Sequence, residues 1–65
     1  NGIVVNSSEQ ITEVVVFDVL GRKLYQQNVV NQEEVIVTKI VKSNQALFVK
    51  TTLTNGQVIT KKVIY

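Results

Sequence analysis

Two arms rich in β-branched residues flank Asn55-Gly56, and this pattern constrains the chain more than any other. Asn-Gly between such arms is a strong short-range signal for a β-hairpin, here running from Gln45 to Tyr65. If Asn55 and Gly56 are the two loop residues, Thr54 opposes Gln57 and the cross-strand register follows. One face then carries Leu53/Val58, Thr51/Thr60, Val49/Lys62 and Leu47/Ile64. The other carries Thr52/Ile59, Lys50/Lys61, Phe48/Val63 and Ala46/Tyr65. The Lys50/Lys61 pair is the awkward member, because like charges directly opposed are destabilising. Either solvent or a partner must take them up.

The rest of the chain is equally strand-prone. Val, Ile and Thr number 14, 6 and 6 in 65 residues, and their branched β-carbons fit a pleated sheet better than a helix. A chain this short forms one small domain that buries about 60% of its unfolded surface. It has no cysteine and no histidine, so neither disulfides nor a Cys/His zinc site can brace it. The same absences remove the commonest general base and the thiolate nucleophile. Four aromatics and no tryptophan are a poor platform for stacking nucleic-acid bases. No apolar run approaches the ~18 residues of a spanning helix, and no signal peptide is visible. The chain opens on Asn1 and runs directly into Ile3-Val4-Val5, which reads as the tail of a longer protein.

The net charge of +2 is unevenly spread. Residues 1–34 hold Glu9, Glu13, Asp18, Glu33 and Glu34 against Arg22 and Lys23. Residues 35–65 hold Lys39, Lys42, Lys50, Lys61 and Lys62 with no acid. Two readings follow: the halves pair across a folded sheet, or the basic half meets an anionic partner.

Apolar patterning predicts strands at 2–5, 11–19, 23–30 and 35–38 ahead of the two hairpin arms. Polar turns are expected at Asn6–Gln10 and Asn31–Glu34, and a tight turn at Leu20-Gly21-Arg22. Val14-Val15-Val16-Phe17 is apolar on consecutive positions, as in a strand covered on both faces. Six short strands separated by turns predict an all-β fold, a small antiparallel immunoglobulin-like β-sandwich ending in the hairpin. The alternative is a smaller open sheet completed by another chain, since apolar edges invite strand addition.

No catalytic constellation emerges, and none is expected. Glu33-Glu34 are neighbours that point to opposite faces of a strand. Asp18 and Glu13 lack the surrounding oxygen ligands of a calcium loop. Ser7-Ser8 has no base beside it, and Asn6-Ser7-Ser8 matches the short Asn-X-Ser glycosylation pattern. Leu20-Gly21-Arg22-Lys23 enters a strand rather than a helix, so it is no phosphate loop. The expectation is a protein without enzyme activity, cofactor or metal.

The string Ile11-x-x-Val14-x-Val16-Phe17-Asp18-x-x-Gly21-Arg22-x-Leu24, followed by a hairpin ending Thr60-Lys61-Lys62-Val63-Ile64, resembles the C-terminal sorting domain of the type IX secretion system of Bacteroidota. Asn44-Gln45-Ala46-Leu47-Phe48-Val49-Lys50 stands where the common form has a Gly-x-Tyr element, and is similar to the branch called type C. The resemblance implies a non-catalytic β-sandwich tail on an exported cargo. That tail is recognised at the outer-membrane type IX translocon and its associated β-barrel shuttle protein. Cargo would then reach the cell surface or medium of a Gram-negative bacterium by way of the periplasm. Matching positions are Gly21, Asn55 and Gly56 at turns, and Lys50, Lys61 and Lys62 on the last strands. Together with Val63, Ile64 and Tyr65, the hairpin residues Lys50, Asn55, Gly56, Lys61 and Lys62 form the expected partner-binding set. The competing expectation is an immunoglobulin-like accessory module that binds glycan or a surface protein.

Overall fold

The structure, a computed structural model, describes residues 2–65. Four strands form one open antiparallel sheet: β1 (Ile3–Asp18), β2 (Lys23–Val37), β3 (Ala46–Leu53) and β4 (Val58–Ile64). Their order across the sheet is β2-β1-β3-β4, which leaves β2 and β4 as edges. The all-β antiparallel expectation is met, but with four strands in one sheet in place of six in a sandwich. The first four expected strands are two long ones, because the polar stretches between them stay in the ladder.

Those polar stretches bend the ribbon instead of ending it. Between Asn6↔Glu34 and Ile11↔Gln32, β1 spends four residues against one on β2. Between Ile11↔Gln32 and Glu13↔Asn28 the excess passes to β2, where Asn31 takes a positive φ of 55°. Unequal residue counts bend and twist a strand pair. Here they turn the start of β1 and the end of β2 back over the sheet. Ile3, Val5, Val35 and Val37 consequently share one core with Ile11, Val14, Val16, Val29, Val49 and Leu53. The core lies between two halves of the same folded ribbon.

Strand alternation explains which residues reach it. Along β3, Leu47, Val49, Thr51 and Leu53 are buried while their neighbours are half-exposed. Val14 and Val16 of β1 stand opposite Thr51 and Val49 on that inner face. Val15 is buried on the outer face, so the centre of β1 is covered on both sides, as its consecutive apolar run implied. The link from β2 to β3, residues 38–45, crosses the end of β1 and sends Ile40 into the core.

Candidate recognition surface

Strands β3 and β4 form the expected hairpin, but in a register one residue away from the two-residue-loop expectation. Ala46 faces Ile64, Phe48 faces Lys62, Lys50 faces Thr60 and Thr52 faces Val58. The cause is the loop. Gly56 N–H donates to the Leu53 carbonyl (3.0 Å), and Leu53 N–H donates to the Gln57 carbonyl (2.9 Å). Only Gly56 in this loop has positive φ, at 88°. That is the three-residue connection of a type I turn followed by a left-handed residue. Asn55 sits inside the turn, its Oδ1 accepting from Gln57 N–H at 2.9 Å.

A shift of one residue exchanges the faces of an entire strand. Lys50 therefore does not oppose Lys61, and the predicted like-charge clash is absent. Lys50 and Lys62 lie on the outer face with Phe48. Lys61 points inward with Ile59 and Val63, on the face of Leu47, Val49 and Thr51. There it lines a cleft of about 100 Å³ between the start of β1 (Ile3 to Ser7) and the hairpin (Val49, Thr51, Ile59, Lys61 and Val63).

β4 is an edge strand whose side chains are exposed apart from a half-buried Val63. Its odd-numbered residues direct backbone groups at β3, as Leu53 N–H to Gln57 O and Tyr65 N–H to Gln45 O show. In an antiparallel ladder this orientation alternates, so Val58, Thr60, Lys62 and Ile64 turn their N–H and C=O groups outward. Tyr65 is tied down as well: its carbonyl accepts from Ser43 N–H (2.9 Å) and Asn44 N–H (2.7 Å). Its ring lies 5.9 Å from Lys42 Nζ, within cation–π range. Of the eight residues expected to bind a partner, Lys50, Lys62 and Ile64 share the outer face. Lys61 and Val63 face the cleft, Asn55 and Gly56 form the loop, and Tyr65 closes the far end.

Among the described residues, the sole ion pair is Arg22 Nε to Asp18 Oδ2, 2.6 Å, and both partners belong to the first half of the sequence. The five lysines of the second half are not neutralised across the sheet. Asp18, weighed above as a calcium ligand and a position of the resembling motif, is a turn organiser. Its Oδ1 accepts from Leu20 N–H and Arg22 N–H, each at 2.9 Å, and its carbonyl accepts from Gly21 N–H at 3.0 Å. Asp18-x-x-Gly21 carries Asp at the first and Gly at the fourth position of a type I turn, a signal present in the sequence. Donation from Arg22 N–H, reinforced by its guanidinium and by Leu20 N–H, holds the Asp18 carboxyl below its ordinary pKa against the opposing effect of burial. Among the described residues no three acids gather as a metal site would require.

The model of one protein family, described as a domain of unknown function (DUF8694), matches residues 1–65. No curated protein matches the sequence.

Proposed function

We propose that this chain, which belongs to the DUF8694 domain family, is a non-catalytic sorting domain that delivers a covalently attached cargo to the type IX outer-membrane translocon. The sequence resemblance supplies the pathway, and the open edge of β4 is the observation that supports recognition. Outward backbone groups at 58, 60, 62 and 64 offer a row of donors and acceptors to an incoming strand. Lys50, Lys61 and Lys62 surround that row with uncompensated positive charge, suited to an acidic partner segment. In this reading the hairpin is recognised as a paired surface rather than as a linear Lys-Lys motif. A strand added along β4 would extend the sheet beside the cleft at Lys61.

Glycan adhesion is the weaker alternative. Aromatic platforms for sugars must be exposed, whereas Phe17, Tyr25, Phe48 and Tyr65 are all half-buried. The decisive experiment fuses residues 1–65 to a periplasmic reporter in a strain with a type IX system and measures surface delivery. Delivery should fall to background when residues 60–65 are removed, and when Lys61 and Lys62 are both replaced by Glu. A truncated reporter that still reaches the surface at the parental level sinks the proposal.

A further inference from the structure

One end of the sheet combines exposed apolar side chains with positive charge, and apart from Ile64 the proposed sorting role does not use it. The β1–β2 turn holds Val19 and Leu20, 63% and 75% exposed. The 38–45 link holds Val41, 82% exposed. The topology brings these two segments together, since Leu24, just past the turn, shares a shallow cleft with Ile40 and Val41. The register places Ile64 there too: Asp18 stands opposite Leu47 while Ala46 stands opposite Ile64. Among the described residues, half of the ten exposed large hydrophobic ones therefore gather at one end, namely Val19, Leu20, Leu24, Val41 and Ile64. Isolated exposed valines need no explanation, but a gathered set does.

The charges at this end share one sign. Arg22 and Lys23 follow the turn tip, and Lys39 and Lys42 bracket Ile40-Val41. The acidic side chain beside them is Asp18, already paired with Arg22; in the 65-residue chain the α-carboxyl of Tyr65 also lies against the link, accepting from Ser43 N–H and Asn44 N–H. Lys23 is turned toward Glu13: its Nζ donates to Gln26 Oε1 (2.8 Å), and Gln26 Nε2 donates to Glu13 Oε2 (2.6 Å), so one amide joins the two charges. Glu9, Glu33 and Glu34 lie at or beyond the bend. Among the described residues, Lys39 and Lys42 are the cations at this end that no acidic side chain pairs or reaches through a bridging amide.

We infer that this end of the domain docks on an anionic lipid bilayer, with Leu20 and Val41 entering the headgroup boundary and Lys39 and Lys42 meeting lipid phosphates. The shape favours lipid over a folded protein. The exposed apolar groups come from two chain segments around a shallow cleft, which a fluid interface accepts without a complementary surface. Apolar insertion together with basic residues is the usual combination for reversible membrane binding. Each Lys or Arg near such a surface strengthens binding by about fivefold, with a range set by ionic screening.

The test is co-sedimentation of the 65-residue chain with phosphatidylcholine vesicles, with and without phosphatidylglycerol. Binding should require phosphatidylglycerol and weaken as salt is added. Lys39→Glu with Lys42→Glu should reduce it by more than tenfold, and Leu20→Ser with Val41→Ser by a comparable amount. Lys61→Glu with Lys62→Glu preserves the same net charge as the first pair but lies on β4, and should leave binding within about twofold. Because the chain has no tryptophan, Leu20→Trp reports insertion directly through a blue shift on anionic vesicles, whereas Val30→Trp on mid-β2 should show none. Equal binding to both vesicle types, no binding at low salt, or equal losses from the two lysine pairs each overturns the inference. Surface delivery of the reporter is a separate readout, so failure here leaves the sorting proposal standing and the reverse also holds.

Discussion

Gly56→Ala isolates the backbone cost of the hairpin loop. A β-carbon built on Gly56 has no heavy atom within 4 Å, so the substitution creates no clash with the rest of the fold. What remains is the left-handed conformation at φ 88°, which costs an L-residue about 1–2 kcal/mol. Reduced freedom of the unfolded chain returns roughly 0.4–1 kcal/mol, leaving a net loss of about 1 kcal/mol. In a domain of this size, whose total stability is about 3–10 kcal/mol, that is a measurable share. With a urea m-value of about 1 kcal/mol/M, the unfolding midpoint should fall by about 1 M. Gly56→Asn should lose less, since Asn tolerates this region. D-alanine, introduced by chemical synthesis, should lose nothing or gain. The loop geometry makes a second, independent demand on the same samples. Lys50/Thr60 and Phe48/Lys62 are non-hydrogen-bonded pairs, whose Cα atoms lie about 4.5 Å apart, so their α-protons should give strong cross-strand NOEs. A neutral Gly56→Ala together with close α-protons on Lys50 and Lys61 would refute the three-residue loop.

Three further outcomes follow from the packing. Lys50→Glu should change stability by less than about 0.5 kcal/mol, since Lys50 faces Thr60; a clear gain by chemical denaturation would mean that Lys50 does oppose a lysine. Leu47→Ala removes a fully buried side chain at a cost of about 2–5 kcal/mol, enough to abolish a cooperative thermal transition or lower it sharply; an unchanged midpoint would contradict the core assignment. Asp18 has a depressed folded pKa, so its contribution is complete above the unfolded value of about 3.9 and is lost as pH falls through the lower folded value. Asp18→Asn should therefore flatten the acid limb of stability against pH, and an identical acid limb in both proteins would exclude Asp18 as its source.

The strand class was readable in the Val, Ile and Thr content, and the number of strands was not. The two tight turns that join neighbouring strands, at 19–22 and 54–56, each contain a glycine with positive φ, Gly21 and Gly56. The two polar stretches mistaken for turns, 6–10 and 31–34, contain neither glycine nor proline. Polarity marks exposure, and an exposed bulge is as polar as an exposed turn. Lack of glycine and proline was the available sign that the ladder continues, and the left-handed Asn31 serves a bulge rather than a turn. The β3–β4 hairpin itself was legible because both loop solutions place Gly56 where a left-handed residue is needed.

Its register was hidden for a more specific reason, which lies in β4. Val58-Ile59 and Val63-Ile64 are adjacent apolar pairs around Lys61-Lys62. Either parity therefore puts one apolar residue of each pair, and one lysine, on the inner face. Hydrophobic alternation sets register only when the two faces differ, and along β4 they scarcely do. The choice passes to the loop, where Leu53, 3% exposed, exchanges its backbone groups with Gly56 and Gln57 rather than leaving Thr54 to close the ladder. That local choice sends Lys61 into the cleft and Lys62 to the outer face. An inward-pointing lysine on an edge strand also discourages pairing with a second copy of the same edge, since a two-fold β4–β4 ladder centred at 61 or 62 would oppose lysines. An acidic strand meets no such repulsion. Lys61→Val should accordingly increase self-association, seen as an earlier, concentration-dependent elution in size exclusion. A strictly monomeric Lys61→Val protein would mean that β4 is protected by something other than its charge.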